Sequence, residues 1–116
     1  MDRYIPKQGD LVWIDFDPSK GKEIGKYRPA VVLSRNEYNH HLNYVIVSPI
    51  GSTFRKNPQY YTLVGYQTTG QISTHQLYSL DYEEKAGRKI KYIESMREED
   101  FLQVAQLVNY NFNFNV

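Results

Sequence analysis

The run from Gly9 to Ser34, GDLVWIDFDPSKGKEIGKYRPAVVLS, restricts the fold more than any other part of this 116-residue chain. Two apolar runs, Leu11–Phe16 and Ala30–Leu33, flank a polar segment broken by Pro18, Gly21 and Gly25. Along a strand successive side chains point to opposite faces, so Leu11, Trp13 and Asp15 share one face and Val12, Ile14 and Phe16 the other. Both faces are apolar, and the strand is expected to be covered on both sides for most of its length. Pro29 biases the residue before it away from helix, which holds Arg28 extended at the mouth of the second strand. The loop between carries Lys20, Lys22, Glu23 and Lys26 ahead of Arg28. A charged loop pinned to a rigid scaffold is where sites are commonly built.

Short strand patterns recur after this hairpin. Arg35–Leu42 is a polar connection with room for one helical turn, and Asn43–Val47 alternates as a third strand that Pro49 is expected to end. Tyr60–Val64 reads as a fourth strand, Gly65–Gly70 as a turn, and Gln71–Leu77 as a fifth strand with Ile72 and Leu77 inside. Glu83–Lys89 is charged and irregular, and Ile90–Ile93 pairs as a short sixth strand. Ser95 and Glu98 fit a capping box, with Phe101, Val104, Ala105 and Val108 following at helical spacing and Leu102 and Leu107 widening the stripe. These features predict a helix over Glu98–Tyr110 and a frayed tail over Asn109–Asn115. Five or six strands with one closing helix make a mainly-β class, a small barrel formed by a single domain over residues 1–116.

The absence of cysteine excludes a disulfide scaffold, a thiolate nucleophile and a cysteine-based zinc site. No charged leader followed by an apolar run opens the chain, and no stretch approaches membrane-spanning length. A soluble cytoplasmic protein is expected. A net charge of +1 is too balanced to identify a nucleic-acid binder from totals, so the local crowding of Lys20, Lys22, Lys26 and Arg28 is more telling. Eleven tyrosines suit an aromatic barrel core and rim, and any that are exposed can stack unpaired bases.

Gly9-Asp10, the aromatic strand through Trp13 and Phe16, Asp17-Pro18, Gly21, Glu23 and Arg28-Pro29-Ala30-Val31-Val32 together resemble the opening of the MazF/PemK family of toxin endoribonucleases. The similarity continues more loosely through Ser48–Pro58 and Gly70–Asp81. The resemblance implies an SH3-like barrel of the MazF/CcdB type, a homodimer, inhibition by a cognate antitoxin, and cleavage of single-stranded RNA such as mRNA without metal or other cofactor. The expected products carry a 2′,3′-cyclic phosphate and a 5′-hydroxyl.

RNA cleavage through its own 2′-hydroxyl needs a base, an acid for the departing 5′-oxygen, and donors for the phosphorane charge. Glu23 suits the first role. Arg28, a planar fork of donors, suits the stabilisation of charge. An ungapped reading against the family puts its catalytic threonine at Gly51, leaving Ser52 and then Thr53 to supply a hydroxyl; backbone N–H groups around a glycine can share that work. Gly51 can also be read as a turn residue with positive φ. Lys20, Lys22, Lys26, Arg55 and Lys56 are candidates for phosphate contact, and Gln76 matches a glutamine lining the family's RNA site. Two alternatives stand beside this reading: a toxin of the same fold that binds DNA gyrase, and a catalytically weakened RNA binder.

Overall fold

A computed structural model of the chain describes residues 3–16 and 27–115, the Glu84 side chain apart. The strands are β1 (Asp10–Asp15), β2 (Tyr27–Val32), β3 (Tyr44–Gly51), β4 (Tyr60–Thr62), β5 (Gln71–Ser73), β6 (Tyr78–Asp81) and β7 (Ile90–Ser95). Helix α1 (Asn36–Leu42) lies between β2 and β3, and α2 (Glu98–Tyr110) follows β7. All seven strands join one antiparallel sheet in the order β4-β5-β3-β2-β1-β7, with β6 on β3. No ladder joins β4 to β7 among the described residues, so strand pairing leaves the sheet open. The mainly-β class with a C-terminal helix agrees with the sequence.

Strand β3 organises the sheet. Its first half pairs with β6 and its last two residues with β5, while β2 runs along its other edge. The sequence places the strand's end at Pro49, yet β3 continues to Gly51 and Pro49 is buried within it. The ladder explains this tolerance. Leu33 donates to the Ile46 carbonyl at 2.8 Å, and alternation then puts the Ala30–Pro49 pair at a non-hydrogen-bonded position. On the opposite edge Pro49 falls between the β6 and β5 ladders, so its missing N–H leaves no ladder bond unmade. The expected strand Gln71–Leu77 stops at Ser73, where a turn in which Gln76 N–H donates to Ser73 O at 3.0 Å precedes β6, a strand the sequence reading did not separate.

The sheet carries a core on each face. Val12, Ile14, Ala30, Val32, Val45, Val47, Leu80 and Tyr82 form one. Leu11, Val31, Ile50, Leu63, Ile72, Met96 and Val104 form the other, which α2 covers. Strand β1 therefore buries both faces over its first half, as its pattern requires, but Trp13 emerges 38% exposed.

Helix α2 has the expected span, with Val104 fully buried and Phe101 and Val108 packed beside it. Leu102 does not widen this stripe; it points out, 57% exposed. The capping box does not form either. Ser95 ends β7, where its hydroxyl donates to Asp10 at 3.2 Å, and Arg97 occupies the N-cap position without a side-chain cap. Tyr66 takes over the anchoring: its hydroxyl accepts from Arg97 N–H at 2.9 Å and donates to Asp100 at 2.5 Å. The tail is docked rather than frayed at Asn111, whose side-chain amide donates to Thr74 O at 2.7 Å. Helix α1 exceeds the single turn expected because Asn39, fully buried, bonds to Pro6 O and Ser34 O and receives the Ser34 hydroxyl.

Candidate functional site

The β2–β3–β5 arrangement brings three distant pieces of sequence together. Arg28 stands near the start of β2, Ser52, Thr53 and Arg55 follow the end of β3, and Gln76 lies in the turn between β5 and β6. All five line one open groove of about 730 Å³. Its walls come from β3 with a different neighbour on each edge, so the site depends on sheet order and not on proximity in sequence. Lys56 is exposed and is not among the lining residues. Glu23, Lys20, Lys22 and Lys26 lie outside the described residues. Among those described, the ion pairs are Arg35–Glu37 and Arg97–Asp100, both away from the groove.

Gly51 also lines the groove, but it does not supply a left-handed turn. Its φ is not positive, and a Cβ built there meets no atom within 4 Å. Beside the groove, the glycine that the backbone requires is Gly70. Its φ is +124°, and a Cβ there would lie 2.3 Å from the Gly51 carbonyl oxygen. Close approach of β5's leading turn to the end of β3 therefore needs Gly70, while position 51 has room for a side chain.

Two buried polar residues that sequence reasoning missed fix this geometry. Gln71 accepts the Arg55 N–H at 2.8 Å and donates to Arg55 O at 3.2 Å and Thr62 Oγ1 at 3.0 Å. It thereby clips the loop carrying Ser52, Thr53 and Arg55 onto β5. Ser48 donates to Gln76 O at 2.8 Å and seats the turn that presents Gln76. Neither residue has a sequence signal, because a polar side chain in a short strand gives no hint of which loop it will reach. The Arg55 guanidinium lies 5.9 Å from the Tyr60 ring centre, and His75 meets the same ring edge-on at 5.2 Å. The groove thus presents guanidinium groups, hydroxyls and ring faces, a combination suited to a polyanion with planar groups.

The molecule is thus a small mainly-β protein with an open, cationic and hydroxyl-lined groove beside a helix-covered sheet. Residues 7–112 match the model of the PemK-like, MazF-like toxin family of type II toxin–antitoxin systems, and the chain belongs to that family. The endoribonuclease toxin MazF of Escherichia coli K12 is 35% identical over 89 residues, covering 77% of this chain and 80% of that protein. The crystal structure of MazF from Deinococcus radiodurans superposes with a TM-score of 0.82 at 26% identity, over 97% of this chain and all of that one. A MazE–MazF structure from the same organism gives 0.83 at 25% identity, again over 97% of this chain.

Proposed function

We propose that this chain is a toxin endoribonuclease that cuts single-stranded RNA such as mRNA at preferred sequences, without metal. The observation that carries the reading is the convergence of Arg28 with Ser52, Thr53 and Arg55 on one groove. The 2′-hydroxyl attacks the adjacent phosphorus and the bond to the 5′-oxygen breaks, with water in the open groove giving the departing oxygen its proton, which leaves a 2′,3′-cyclic phosphate and a 5′-hydroxyl. Arg28 stabilises the charge that builds on the phosphorane oxygens. Ser52 or Thr53 donates a hydrogen bond to the same phosphate, and Arg55 holds a neighbouring one. Gln76 faces a base edge, Glu23 takes the proton from the 2′-hydroxyl, and Lys20, Lys22, Lys26 and Lys56 engage flanking phosphates. The role of Glu23 rests on its place in the sequence motif and on the family resemblance, and that of the lysines on their charge beside the motif. By the same resemblance the protein is a cytoplasmic homodimer. A relative crystallised with MazE supports a cognate antitoxin as partner.

The test is incubation with a long, weakly structured RNA in excess EDTA, followed by mapping of the new ends. Recurrent cuts at one short sequence with 5′-hydroxyl ends are expected. Arg28→Ala should lower the rate about a hundredfold or more, the scale for loss of one transition-state donor. A folded Arg28→Ala protein that cuts at full rate would overturn the mechanism. RNA binding without turnover would mark a weakened binder, and inertness toward RNA with inhibition of DNA gyrase would mark the non-catalytic toxin.

A further inference from the structure

Tyr27 lines the groove, but its ring also belongs to a surface beyond it. In the β1–β2 ladder Trp13 lies opposite Pro29 and Asp15 opposite Tyr27, so Trp13 and Tyr27 share a face as diagonal neighbours. Their rings stack with centres 5.6 Å apart and planes 24° from parallel. Leu11 and Val31, on the same face two residues away, are fully buried in the core beneath α2. The apolar face thus runs out from under the helix and ends in two exposed rings, Trp13 at 38% and Tyr27 at 42%. Exposed Lys91 of β7 stands directly opposite Trp13.

We propose that the Trp13–Tyr27 pair is a stacking platform for an unpaired base flanking the cleaved bond, with Lys91 holding the neighbouring phosphate. The assignment rests on the ribonuclease reading above. It commits to single-stranded RNA because the strip continues the groove through a shared ring and pairs aromatic faces with a cation. Every base has a π-face, so the platform adds affinity without strict sequence readout. It extends the bound RNA past the scissile phosphate toward β7.

Trp13 is the only tryptophan in the chain, so its emission reports on this surface alone. The probe is a short all-2′-deoxy copy of a mapped cut site, which lacks the attacking hydroxyl. Saturation should quench the emission, and an abasic residue at one flanking position should abolish the quench. Trp13→Leu should raise KM on RNA about tenfold while kcat stays within about twofold. Trp13→Phe should restore KM, and Lys91→Ala should reduce the salt dependence of binding by about one counterion. Circular dichroism melting checks the fold, with Tyr27→Leu read instead should Trp13→Leu unfold. Cleavage with no quench, or a wild-type KM in folded Trp13→Leu, overturns the platform and leaves the ribonuclease standing. Emission that follows protein dilution and not added oligonucleotide assigns the rings to a contact between copies and overturns it too. A wild type that neither cuts nor binds RNA removes both proposals.

Discussion

At the scale of single residues, two glycines near the groove behave oppositely for reasons that backbone geometry supplies. Gly70 combines φ of +124° with a carbonyl 2.3 Å from the position of a Cβ. Gly70→Ala should therefore destabilise the fold by more than about 1 kcal/mol and slacken the groove, read as a lower melting temperature together with weaker cleavage. Gly51 has neither constraint, so Gly51→Thr should leave the melting temperature nearly unchanged. A large loss of stability in Gly51→Thr, or none in Gly70→Ala, would contradict this account. The sequence pointed to Gly51 as the unusual position. It held no sign that Gly70 is the indispensable one, because the clash arises across strands β3 and β5.

At the scale of elements, the loop after β3 holds its course through one buried side chain. Gln71 makes three hydrogen bonds to Arg55 and Thr62, and no backbone ladder substitutes for them at Arg55. Gln71→Leu keeps the volume but strips these partners. It should cost about 1–3 kcal/mol in denaturant unfolding and raise KM for RNA, since Ser52, Thr53 and Arg55 lose their fixed placement. An unchanged KM would show that the loop is ordered by other means. Helix α2 was legible to its termini because Val104 and its neighbours recur at helical spacing. Its capping was not, since Ser95 is drawn into β7 by Asp10 and the work passes to Tyr66, 31 residues from Arg97.

At the scale of the whole molecule, the edges of the sheet are tied by side chains. Glu94 of β7 accepts Thr68 N–H and its hydroxyl, each at 2.9 Å, and Gln67 N–H at 3.1 Å, from the connection between β4 and β5. Partial burial works to raise its pKa, but those donors and the nearby Arg97 charge outweigh it and hold the carboxyl below its ordinary value of 4.5. A depressed folded pKa gives a stabilisation that is full above the unfolded value and fades as pH falls through the folded one. Asp100 acts in the same direction: the Tyr66 hydrogen bond lowers its pKa, partial burial opposes, and Arg97 and Tyr61 add to the lowering. Glu94→Gln should therefore lower the melting temperature near neutral pH and flatten its decline in acid, with the gap from wild type closing below about pH 4.5. A gap that is constant with pH would show that the carboxylate's charge is not what ties the edges.

The sequence by itself determined the mainly-β class, the helix over Glu98–Tyr110, the two-faced burial at the start of β1 and the family to which the chain belongs. Each of these is written in local periodicity or in contiguous motifs. The sequence also named Arg28, Ser52, Thr53, Arg55 and Gln76, which the groove unites, while Lys56 falls outside its lining. Tertiary structure decided the rest: that Pro49 sits inside a strand, that β5 stops at Ser73 and a separate β6 follows, and that Gln71, Ser48, Asn39 and Gly70 hold the loops and turns in place. Those outcomes depend on what lies across a ladder or under a loop, and pairing between residues tens of positions apart leaves no local pattern to read.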